Sequence, residues 1–176
     1  PVFRDEHLRQ GIFVSIVRTS RLQPSNQLYK ERQSMIDVRT APYAALTLRI
    51  ALGAMFIAHA LLKVFVFTLP GTVQFFESLG LPGILAYVTF AAELVGGAML
   101  VFGIGTRWVA ALLIPVLLGA TWVHASNGWL FTAPKGGWEY PAFLTVAALV
   151  QVLLGNGAYA LSSAFNAKPV ARLRTA

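Results

Sequence analysis

The amino-acid sequence predicts an all-α membrane protein, a four-transmembrane-helix bundle, on three observations. Four apolar stretches run approximately 43–67, 83–103, 108–126 and 141–161, and a hydrocarbon core about 30 Å thick takes roughly 20 helical residues to cross. Only 12% of the 176 residues are charged, where a soluble domain carries about a quarter. Mean hydropathy is +0.64, which makes lipid the expected solvent.

Each element has its own local signal. Pro42, Pro82 and Pro141 stand near the starts of the first, second and fourth stretches, where the missing proline N–H would be unpaired in any case. The third stretch begins near Arg107, after the break at Gly103-Ile104-Gly105, and its internal Pro115 is expected to kink it. Gly155 and Gly157 weaken the final turns of the fourth. Ala92-x-x-x-Gly96, with Gly97 beside it, has the small-residue spacing that lets helices approach closely.

Orientation follows from the cations in the short connections. Arg39, Arg107, Lys168, Arg172 and Arg174 fall on one side; Lys135 stands on the other, with Lys63 at the rim. The positive-inside rule makes the bundle N-in/C-in, with the 68–82 and 127–140 connections facing outward. Tyr43, Trp108 and Tyr159 mark the inner interface, and Trp129, Trp138 and Tyr140 the outer one.

Residues 1–34 differ in character, mixing charges with polar residues around one short apolar patch, 11–17. Lys30-Glu31 can be encoded AAG-GAG, a ribosome-binding sequence shortly before Met35. The expected organisation is a non-native or disordered leader over 1–34, a membrane domain over 35–165 and a basic cytoplasmic tail over 166–176. The net charge of +7 fits anionic lipid headgroups and gives no reason to invoke nucleic acid. With no cysteine, thiol redox chemistry, thiolate metal sites and covalent haem attachment are excluded.

The ionisable residues inside the stretches are the candidate site: Arg49, His59, Lys63, Glu93 and His124, with Glu139 at the outer mouth. Charge in hydrocarbon has to be paired, snorkelled or used. Helical rise puts Arg49 about 9 Å and His59 about 24 Å above the inner boundary, Glu93 near the midplane and His124 about 25 Å up. Arg49 and Glu93 are therefore expected to pair, as a structural lock or part of a ligand site, with snorkelling of Arg49 the alternative. Lys63 reads first as a residue snorkelling outward. His59 and His124, level on two helices, are either hydrogen-bonded interface residues or ligand-binding groups. Haem b is disfavoured without a haem-pocket motif, and two histidines with one distant carboxylate do not make a metal site.

These residues fall in a recognisable order. Leu48-Arg-Ile-Ala-Leu-Gly53, His59-Ala-Leu-Leu-Lys63, Phe75-Phe-Glu-Ser-Leu-Gly-Leu-Pro82, Ala92-Glu-Leu-Val-Gly-Gly97, Thr106-Arg107, His124 with Asn127-Gly128, and Gly136-Gly-Trp-Glu-Tyr140 together resemble the DoxX family of membrane proteins over residues 43–160. Ala60 stands where that family often has glycine, a departure that keeps the position small. The resemblance implies a bacterial inner-membrane location and raises quinone-linked redox chemistry, since the family name comes from subunits of thiosulfate- and quinone-linked oxidation.

Two functions are consistent with this. One is a quinone-linked or redox-complex-associated subunit, with a redox-protein partner or a homo-oligomer in the bilayer, Glu93 handling protons and the histidines binding or protonating. The other is a non-enzymatic scaffold whose charge network only holds helices together. A small transporter fits less well, because four helices contain no interrupted-helix repeat. If Met35 is the start, peptide mapping of the native product is expected to yield no peptide from 1–34; recovery of such peptides would overturn that reading.

Overall fold

The computed structural model describes residues 37–166, and every regular element among them is helical. The expected leader and most of the basic tail, with Lys168, Arg172 and Arg174, lie outside the described residues. Helix α1 spans Ala41–Phe65, α2 Leu69–Ser78, α3 Ile84–Phe102, α4 Thr106–His124, α5 Glu139–Leu154 and α6 Leu161–Asn166, with a 3₁₀ turn at Ala125–Asn127. Three helices, α1, α3 and the α4–3₁₀ segment, are long and apolar enough to cross a membrane; α5 is a shorter apolar helix. This arrangement is consistent with a four-helix membrane bundle and agrees with the sequence in the number and order of its apolar elements.

The helix ends show where local chemistry overrides the apolar pattern. Asp37 accepts the Arg39 N–H on its carboxylate at 2.9 Å and the Ala41 N–H on its carbonyl at 2.9 Å, opening α1. Thr68 caps α2 by accepting the Gly71 N–H at 3.2 Å. It does so at φ 61°, a costly conformation for a β-branched residue. The 68–82 connection, expected as a plain loop, therefore contains a 10-residue helix. Pro82 stands two residues before α3 instead of inside it, and α4 continues through Pro115 without a break.

The main departure from expectation is at α5, which stops at Leu154 and not near residue 161. Gly155 and Gly157 have φ of 83° and 70°, left-handed values that end a helix cheaply at glycine. At 16 residues, α5 rises only about 24 Å, short of a hydrocarbon core about 30 Å thick.

Helices α1 and α3 approach closely at two glycines. A Cβ on Gly53 would fall 2.7 Å from the Gly97 carbonyl oxygen, and one on Gly97 would fall 2.9 Å from that of Gly53. Two backbones touch here, as the small-residue spacing implied, and no side chain can yield to make room. Gly96 faces Leu113 of α4. Leu52, Phe56, Leu100, Leu113, Leu117 and Ala148 form the buried centre. Gly97→Val is expected to lower stability by about 1–3 kcal/mol through overpacking, read as a fall in unfolding temperature in micelles. Gly119→Ala, at a position open to 4 Å, is expected to leave that temperature unchanged or slightly higher.

Candidate functional site

Lys63 and Glu93 form the central contact of the site. Lys63 Nζ donates to Glu93 Oε2 at 2.6 Å, with side-chain exposures of 15% and 7%. The expected Arg49–Glu93 pair is thus replaced by Lys63–Glu93, and Lys63 does not snorkel away. The reason lies in side-chain direction. Helical side chains lean toward their own helix N-terminus. On antiparallel α1 and α3, Lys63 leans down toward the level of Glu93, and Glu93 leans up to meet it.

Arg49 leans the other way, into the opposite end of the bundle. It is 1% exposed and donates from Nη1 to the Asn156 carbonyl at 2.9 Å and from Nη2 to the Ala158 carbonyl at 3.3 Å. These carbonyls belong to the turn that follows the short α5. Gln151, fully buried, donates Nε2 to the Gly155 carbonyl at 2.7 Å. Irregular backbone at membrane depth is tolerated only where protein satisfies it, and Arg49 and Gln151 supply that satisfaction. Gly103 leaves the space for the guanidinium: a Cβ there would lie 1.9 Å from Nη1. Arg49 is therefore neither snorkelled to headgroups nor part of the site around Glu93.

The two histidines lie with Glu93. A cavity of about 560 Å³ is lined by His59, Glu93, His124 and Tyr140 among apolar residues such as Phe56 and Leu117. A second, of about 740 Å³, lies beside it between α2 and the helices α1, α3 and α4. His59, Glu93, Ala120 and His124 line both, so these polar groups stand where the two cavities meet. Lys63, Phe67, Phe75 and Trp122 belong to the second cavity. Phe67, Phe75 and Trp122 are at least half exposed, and on a membrane helix bundle that exposure is to lipid.

Each histidine is oriented by backbone carbonyls. His59 Nδ1 lies 2.8 Å from the Met55 oxygen. His124 Nδ1 lies 3.0 Å from the Gly136 oxygen and 3.1 Å from that of Lys135. Asn127 holds the same two carbonyls through Nδ2 at 2.9 and 3.1 Å. Glu139, counted among the candidates, lines neither cavity. Its Oε1 accepts the Phe131 N–H at 2.9 Å, which pins the connection that covers His124. Tyr140 is the residue that sequence reasoning missed, reading it only as an interface aromatic. Its ring stacks on His59 with centroids 5.9 Å apart at 21°, and its hydroxyl is buried without a partner among the described residues. The signal available was its place directly after Trp138-Glu139, at the level expected for His59 and His124.

Among the described residues, no group of three or more His, Asp or Glu could hold a metal ion. The site offers instead a mostly apolar volume with a few convergent polar groups, the usual make-up of a small-molecule pocket.

Comparison with known proteins agrees with this architecture. The DoxX family model matches residues 44–126, which run from the start of α1 through the 3₁₀ turn and include His59, Lys63, Glu93 and His124. A Bacillus subtilis (strain 168) protein named "Putative oxidoreductase CatD" is 45% identical over 75 residues, 43% of this chain and 54% of the relative. The match thus spans about half the length of that relative. No solved structure matches.

Removing one partner of a buried pair leaves the other charge uncompensated. Lys63→Met is expected to cost about 3 kcal/mol, seen as a lower unfolding temperature in nanodiscs. The Lys63→Met/Glu93→Gln double variant is expected to recover most of it.

Proposed function

We propose that this multi-pass membrane protein, whose residues 44–126 match the DoxX family model, binds a lipid-soluble quinone substrate in the paired cavities and serves a membrane redox complex. The observation that carries this reading is the meeting of His59, Glu93 and His124 where two mostly apolar cavities adjoin. A quinone carries a polar ring on an apolar tail and exchanges two electrons together with two protons. The second cavity suits the tail and the first the ring. His59, His124 and the Lys63-paired Glu93 are the groups placed to take up or give the protons. Electrons would pass to or from a redox-protein partner, since the described side chains include no redox centre of their own.

The cation distribution supports an N-in orientation in the bacterial inner membrane, with the cavities near the outward surface. The relative's name supports the oxidoreductase association. The scaffold reading has one observation in its favour: the Lys63–Glu93 pair is already complete at 2.6 Å and needs no ligand to balance its charge.

Extraction of lipid-soluble compounds from the purified protein in nanodiscs, followed by mass spectrometry, separates the two. Near-stoichiometric quinone in the wild type, lost in a Glu93→Gln variant that stays folded, is the expected result. No enrichment in either protein would favour the scaffold.

A further inference from the structure

We infer that the first cavity, lined by His59, His124 and Tyr140, selects the reduced, hydroxyl-bearing form of its aromatic ligand, a quinol, over the oxidised quinone. The inference rests on the reading of the cavities as a quinone site and adds which redox form they bind tighter.

The argument is a count of donors and acceptors. A carbonyl oxygen can only accept, so the ring nitrogen facing it has to carry the proton. For His59 that nitrogen is Nδ1, facing Met55; for His124 it is Nδ1, facing Lys135 and Gly136, and the Asn127 Nδ2 that lies 3.3 Å from it directs its two protons to the same carbonyls at 3.1 and 2.9 Å. In the neutral imidazole the proton on Nδ1 leaves Nε2 with a lone pair, and no hydrogen bond among the described residues uses either Nε2. Both histidines line the same cavity, so it presents two acceptor nitrogens whose tautomers are fixed by backbone. Glu93 adds acceptor capacity on Oε1, its Oε2 being taken by Lys63. The ammonium that could have donated lines only the second cavity. Tyr140 is the exception, a hydroxyl able to donate or accept.

A quinone offers only carbonyl oxygens, and these would meet lone pairs at both histidines. A quinol offers two O–H donors on opposite sides of a flat ring. The Tyr140 hydroxyl, unpartnered in its buried position, can donate to an oxygen of either form and so does not decide between them. In a site lined mostly by apolar residues, a missing donor is costly because the protein's acceptors are left unpaired.

The test is binding to the full chain in nanodiscs, without oxygen, of three ligands with one short alkyl tail: a benzoquinol, the matching benzoquinone and the quinol dimethyl ether. The ether keeps the shape of the quinol and lacks its donors, so the comparison needs no redox turnover. The quinol is expected to bind at least about tenfold tighter than either of the others. His59→Phe and His124→Phe are each expected to remove most of that advantage, while Tyr43→Phe, at an exposed residue outside both cavities, keeps it. If either histidine variant does not fold, the ether comparison on the wild type decides alone. Equal or tighter binding of the quinone or the ether overturns the inference and leaves the site. Binding of none of the three overturns the quinone reading itself.

Discussion

A polar group in hydrocarbon has to find its partner inside the protein, and that constraint organises both ends of this bundle. At one end the problem is backbone. Helix α5 stops at Gly155, and the carbonyls of the following turn would face an apolar medium without donors. Arg49 and Gln151 meet them. A guanidinium has five donors on a planar head, so one side chain can serve two carbonyls. Its positive charge also suits the negative end of the α5 dipole. This accounts for a buried arginine that no carboxylate neutralises among the described residues.

At the other end the problem is side chains, and the solution is incomplete. Lys63 and Glu93 satisfy one another, and the Nδ1 edges of His59 and His124 are met by carbonyls. What remains is two imidazole nitrogens, a carboxylate oxygen and the Tyr140 hydroxyl around one cavity. The first end is closed by the tight turn at Gly103–Gly105, which Ser162 ties by accepting the Gly105 N–H at 2.9 Å and donating to the Gly103 carbonyl at 2.8 Å. Among the described residues, the other end is covered only by α2 and by the 128–138 connection. One end is closed by its own contacts, and the other leaves polar atoms without partners among the described residues.

The apolar elements, their order and a close helix approach at Gly96 and Gly97 were legible in the sequence because length, hydropathy and small-residue spacing are local signals; that Gly53 is the partner was not. Which charges pair was not. Depth along a helix places Arg49 near Glu93, but depth ignores the lean of a side chain toward its helix N-terminus, which separates those two and joins Lys63 to Glu93. The early end of α5 was half legible: Gly155 and Gly157 were visible, but apolar residues on either side concealed that the helix stops there. Helix α2 went unread because its start depends on a capping threonine in a left-handed conformation, which no propensity favours. Tyr140 was placed correctly in depth, but its turn toward His59 depends on how α5 packs, which spacing does not reveal.

The fixed tautomers are what turn this end from a collection of polar residues into a directional site. An imidazole free to exchange its proton between nitrogens can present either a donor or an acceptor, and so discriminates little. Here the Met55, Lys135 and Gly136 carbonyls hold the neutral rings in one state. The last two are positioned by Asn127, while Glu139 holds the same connection at Phe131. Asn127 and Glu139 lie outside both cavities yet bear on what the first can recognise, because through them the 128–138 connection keeps its carbonyls against His124. The polarity of the site is therefore written in the backbone of a connection as much as in the histidines that face the cavity.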